Sequence, residues 1–101
     1  MKESKLESDC VALAERRGVP SIKLNGQGDD GKPDRLFLFP HRAVFMEFKR
    51  EGEQARELQD WWRRLIQALH LSYYLIDTQK DFELAFAQVM EKVRADAKRL
   101  T

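Results

Sequence analysis

Apolar and polar positions recur along the chain with two different periods, and the changes of period mark the elements. Leu6, Cys10, Leu13 and Ala14, with the stem of Arg17 next, follow helical spacing. Ser4-Lys5-Leu6-Glu7 fits a capping box at the start of that helix, and Arg16-Arg17-Gly18 gives it a basic last turn and a glycine stop. After Val19-Pro20 the period becomes two. Ser21–Asn25 reads as a strand with Ile22 and Leu24 on one face and Lys23 on the other. Leu36–Phe39 and Ala43–Lys49 read as two further strands joined by a turn at Pro40-His41-Arg42, an antiparallel hairpin. In the third strand Val44, Met46 and Phe48 make a wholly apolar face directed at the core, while Phe45, Glu47 and Lys49 share the other face. A charged linker, Arg50-Glu51-Gly52-Glu53-Gln54, leads into a long helix from about Gln54 to Leu71. Leu58, Trp61, Trp62, Leu65, Ile66 and Leu69 lie on it as an i, i+3, i+4, i+7, i+8, i+11 series, flanked by Gln59 and Arg63. Ser72–Asp77 is a short strand rich in aromatic and β-branched residues. Thr78-Gln79-Lys80-Asp81 then resembles a capping box, and the closing helix carries Phe82, Phe86, Val89 and Val93 on one face. After Lys92 the chain is mostly charge and alanine, so fraying is expected from about residue 94.

The order α-β-β-β-α-β-α predicts an α/β domain over residues 1–101, a small mixed β-sheet flanked by helices. The helix between the third and fourth strands makes a crossover, so those two strands are expected to run parallel.

Composition narrows the function. At 101 residues there is room for one modest core, and 43% apolar residues suffice to form it. The net charge of +1 does not by itself indicate a nucleic-acid binder; such a partner would have to be held by a local basic patch or with a second subunit. Cys10 is the one cysteine, which excludes an intramolecular disulfide and a cysteine zinc cage, and its place in an apolar helical pattern reads as a small buried hydrophobe. No stretch approaches the ~20 apolar residues that span a bilayer, and Met-Lys-Glu-Ser-Lys has no apolar signal run. An intracellular, cytoplasmic protein without a membrane partner is expected.

The candidate chemistry sits on the hairpin. The polar loop from Gly26 to Pro33 is not a P-loop, because no Gly-Lys-Ser/Thr and no helix follow it. Its end delivers Asp34 to the mouth of one strand, opposite Glu47 and Lys49 at the end of the next. Two carboxylates on adjacent strands can hold Mg²⁺, which demands hard oxygen ligands, and leave positions for water and phosphate. The Phe48 carbonyl, between the two charged residues, is a natural third oxygen. Lys49, sharing a face with Glu47, is placed to orient or deprotonate the attacking water and to offset phosphate charge.

Gly31-Lys32-Pro33-Asp34-Arg35, then Glu47-Phe48-Lys49, then a helix carrying Gln59 and Trp62, resembles the PD-(D/E)xK nuclease superfamily, and within it the VRR-NUC branch of small virus-type replication-repair nucleases. The resemblance runs from Ser4 to about Val93. It implies a restriction-endonuclease-like fold and Mg²⁺- or Mn²⁺-dependent endonuclease action on branched DNA, such as four-way (Holliday) junctions, by a homodimer, in a bacterial or phage-encoded setting. By position it implies Asp34 and Glu47 as metal ligands and Lys49 as the catalytic lysine. Glu7 matches a helix glutamate that reaches toward the metal, often through water, and Gln59 a glutamine beside the site. Asp29 and Asp30 depart from the neutral or basic residues expected in the loop.

Plainer readings stand beside these. Asp34 could be a turn residue, Glu47 and Lys49 a solvated strand face, and Gln59 a helix-surface residue. Glu7 is explained equally by its capping box. Trp61 and Trp62 read as core or subunit interface before base-stacking platforms. His41 and His70 read as structural or surface residues. Lys23, Lys32, Arg35, Arg42 and Arg50 surround the site in sequence and are candidates for phosphate contact. Alternative functions are a nuclease fold that binds DNA or a protein without cleaving, and a nuclease for linear or flap duplexes.

Overall fold

The computed structural model describes residues 3–24, 31–49 and 57–100. Its elements run α1 (Glu3–Arg16), β1 (Ser21–Lys23), β2 (Arg35–Phe39), β3 (Arg42–Phe48), α2 (Glu57–Ala68), β4 (Ser72–Ile76) and α3 (Gln79–Leu100). This is the expected order. The strands form one mixed sheet in the order β1-β2-β3-β4. β1, β2 and β3 are antiparallel neighbours, and β4 lies parallel to β3, as the α2 crossover requires. The expected linker from Arg50, the Gln54 helix start, the polar loop from Gly26 to Asp30 and the Ser4 side chain lie outside the described residues.

Local chemistry sets the boundaries. α1 ends at Gly18, whose φ of 82° lets Val19 N–H reach Ala14 O at 2.9 Å and Gly18 N–H reach Glu15 O at 3.0 Å. α2 ends the same way with His70 in the left-handed position, where Leu71 N–H meets Ile66 O. The hairpin turn pairs Pro40 with left-handed His41, so Arg42 joins the strand opposite Phe39 rather than the turn. Thr78 Oγ1 accepts the Asp81 amide at 3.0 Å and caps α3.

Pleating sorts the sheet into two faces. Phe37, Val44, Met46, Phe48 and Ile76 point to one side and form the core with Leu6, Cys10 and Ala14 of α1 and Phe82, Phe86 and Val89 of α3. Tilted ring contacts tie the layers, Phe37 to Phe82 at 5.9 Å and Phe39 to Phe86 at 5.1 Å. Cys10 is fully buried there, and burial pushes its thiol up to about 12. α2 lies alone on the opposite side, against β4. One helix cannot cover four strands, and Ile22 and Leu38, which point to that side, remain exposed.

α3 runs as helix to Leu100, past residue 94, from which fraying is expected. Val93 and Asp96 are buried, and Arg42 Nε and Nη2 each bond the Asp96 carboxylate at 2.9 Å. This bidentate pair pins the last turns of α3 to the start of β3. The Arg42 bonds hold the Asp96 carboxyl down at about 2. A carboxylate held below its ordinary value of 3.8 adds stability above that value and loses it as the pH falls through the folded one. The melting temperature of Asp96→Asn should therefore lie below wild type at neutral pH. The gap should close as the pH is taken from about 4 to about 2.

Candidate active site

β2 stops pairing with β3 at Arg35 opposite Met46. One step further on, Asp34 stands across from Glu47 and on the same face. The Phe48 N–H, next along β3, is bonded by Asp34 Oδ2 at 2.7 Å. The side chain thus continues the ladder where the backbone leaves it. In a strand the N–H and C=O of one residue leave on the same edge, so the Phe48 carbonyl opens toward Asp34 as well. On the other edge Lys49 N–H donates to Ile76 O at 2.8 Å, which ties the lysine backbone to β4.

α2 closes the cluster from above. Gln59 Nε2 donates to Glu47 Oε2 at 2.9 Å, and Lys49 Nζ donates to Gln59 Oε1. An ammonium only donates and a carboxylate only accepts, so the orientation of the Gln59 amide is fixed by its neighbours. Lys49 Nζ also lies 3.9 Å from Glu47 Oε2. Asp34, Glu47, Lys49 and Gln59 are each between 2% and 6% exposed. Burying charges costs several kcal/mol per ion unless they are paired, so this concentration in a small domain is held by the mutual bonds described above.

Gly31 lets α2 come so close. Its φ is 79°, and a Cβ there would lie 2.8 Å from the backbone carbon and Cγ of Leu58 and 2.9 Å from the Gln59 nitrogen. The loop end and the first turn of α2 are therefore in close backbone approach at the Leu58–Gln59 step itself, three residues from Asp34.

Four of the residues singled out from the sequence meet here: Asp34, Glu47, Lys49 and Gln59. Glu7 is placed elsewhere. Its Oε2 accepts Arg35 Nε at 2.8 Å and lies 3.6 Å from Lys23 Nζ, while Arg35 Nη1 reaches Ser21 Oγ at 3.2 Å. Arg35 and Lys23 belong to the α1 face of the sheet, opposite the face that carries Asp34. Among the described residues no group of three or more His, Cys, Asp or Glu side chains gathers as a metal cage. Lys32 lies half-buried beside Gly31, and Arg50 lies outside the described residues.

Tyr73 was missed in the sequence. It pairs with Phe45 and so points to the Glu47 side of the sheet. Burial, and then the negative charge of Glu47, push its phenol well above the usual range, with Asp34 adding to the effect. Only the β3–β4 register could have singled it out from Tyr74.

The donor set fits a hard divalent cation. Mg²⁺ is commonly held by one or two carboxylates plus substrate phosphate and water rather than by an all-protein cage, and Asp34 and Glu47 with the Phe48 carbonyl offer oxygen donors of that kind. No protein-family model matches the sequence, and no curated protein matches it. Among the described residues no helix is long and apolar enough to cross a membrane.

Proposed function

We propose that the chain is a metal-dependent endodeoxyribonuclease of the PD-(D/E)xK type, acting on branched DNA. The observation that carries this reading is the buried Lys49–Gln59–Glu47 relay beside Asp34. Two acids alone would suit many binding sites. Two acids with a lysine locked beside them are what hydrolysis of a phosphodiester asks for.

Asp34 and Glu47 would hold Mg²⁺ or Mn²⁺, with the Phe48 carbonyl as a further oxygen. The ion, when bound, supplies charge neutralisation at the phosphate. Lys49 orients the attacking water and offsets the charge that builds on the phosphate oxygens. Gln59 takes one bond from Lys49 and gives one to Glu47, so that neither long side chain samples other rotamers. Asp34 is held by the Phe48 amide. Glu7 acts on Arg35, steadying a guanidinium next to Asp34 in the chain.

The test is to incubate the purified protein with four-way junctions, forks, flaps and plain duplex, with Mg²⁺, with Mn²⁺ and with a chelator. Nicking that requires the ion and favours the branched substrates is expected. Retardation of DNA with no nick in any ion would make the chain a binding module, and equal cutting of plain duplex would remove the preference for branches.

A further inference from the structure

The acid pair has one polar neighbour at each end. Lys49 follows Glu47 by two positions on the same strand, a step of about 7 Å toward the end of β3. Tyr73 lies one such step in the opposite direction. It pairs with Phe45, which precedes Glu47 by two positions and shares its face, so the tyrosine stands diagonal to Glu47 on the next strand. With strands about 4.8 Å apart and a rise of about 3.3 Å per residue, diagonal neighbours are about 8 Å apart, within the reach of an aromatic side chain. The ring is half-buried, and Glu47, Asp34, Arg63 and Asp60 are the charges that act on it. Arg63 is engaged by Asp60 of its own helix. Among the described residues nothing bonds the Tyr73 hydroxyl, and its oxygen is not sealed from solvent. A phenol beside two carboxylates is thus a proton donor that the fold itself does not use.

We propose that Tyr73 is the general acid of the cleavage, the group that protonates the leaving oxygen; this rests on the nuclease reading above. In-line displacement puts the attacking water and the leaving oxygen on opposite sides of phosphorus. Lys49 serves the water at one end of the acid pair, and Tyr73 is the donor at the other. The water oxygen bonds to phosphorus and loses a proton to solvent. The bond from phosphorus to the bridging oxygen breaks, its electron pair stays on that oxygen, and the phenol proton follows onto it. The phenolate left behind is reprotonated by water. Burial and the nearby carboxylates keep the phenol protonated at neutral pH, so the donor form is the resting form. An alkoxide is more basic than a phenolate, so the transfer runs downhill.

The test uses Tyr73→Phe, which removes the hydroxyl and keeps the ring. With Mn²⁺ and ordinary DNA, kcat should fall by about a hundredfold or more, while KM and the melting temperature stay at wild type. Both proteins are then given DNA in which sulfur replaces the bridging oxygen that leaves, its position read from the product ends of wild type. A thiolate departs without a proton, so the variant should cut this DNA within about threefold of wild type. A loss below about tenfold on ordinary DNA overturns the proposal and leaves the nuclease reading standing. A loss of equal size on both substrates does the same, because the hydroxyl would then support the site's shape and not the leaving group. A wild type that nicks no DNA in any ion overturns both.

Discussion

Asp34→Asn is expected to lower metal-dependent cleavage of DNA by about a thousandfold or more while leaving the melting temperature close to wild type. The amide oxygen of asparagine can still accept the Phe48 N–H that Asp34 Oδ2 now takes at 2.7 Å, so the end of the β2–β3 ladder is kept. What is lost is one of two negative charges on the site. Asp34→Ala would confuse the two effects, because a buried N–H left without its acceptor costs about 1–3 kcal/mol. Lys49→Ala should abolish cleavage to the same extent. It should also lower the melting temperature, since buried Glu47 loses the cation 3.9 Å away. Rates measured with excess Mn²⁺, alongside thermal melts followed by circular dichroism, separate activity from folding. Cleavage that persists in both variants would remove the nuclease assignment.

Gly31→Ala is expected to lower the melting temperature by about 10–15 °C, which for a domain of this size corresponds to roughly 2–3 kcal/mol. Two costs combine. A side chain at φ 79° costs on the order of 1–2 kcal/mol by itself. The methyl group would then press on backbone atoms of Leu58 and Gln59 at 2.8 and 2.9 Å, which cannot swing aside as a side chain could. Gly18→Ala is the natural control. Its φ is 82°, yet nothing lies within 4 Å of the added carbon, so it carries the first cost without the second. Equal losses in the two variants would mean that the close approach of α2 contributes nothing. A larger loss at Gly31, accompanied by reduced cleavage, would show that the glycine seats Gln59 over Glu47 and Lys49.

The elements and their order were legible because the two periods are clear and the punctuation at Gly18, Pro40 and Thr78 agrees with them. The face of β3 was legible for the same reason, since residues two apart on a strand must share a side. The burial of α2 was not. A count of apolar positions shows an amphipathic helix, but the sheet takes hold of its edge, at Gln59 and Ile66, and turns the leucine row outward. Gln59 looks like a flanking polar residue until Glu47 and Lys49 are known to lie beneath it. The anchoring of the end of α3 was not legible either. Alanine and charge after Lys92 suggest weak packing, and the Arg42–Asp96 pair that anchors it joins positions too distant in the chain to be guessed. The place of Glu7 depended likewise on the β1–β2 register, which brings Lys23 and Arg35 side by side.

The bond from Phe48 to Asp34 has a bearing on how this cluster comes into being. A carboxylate that serves as the final rung of a ladder is set in place by strand zippering itself, without waiting for any guest to arrive. An incoming ion would meet an acid whose rotamer freedom has already been surrendered, so little ordering entropy is left to charge against its binding.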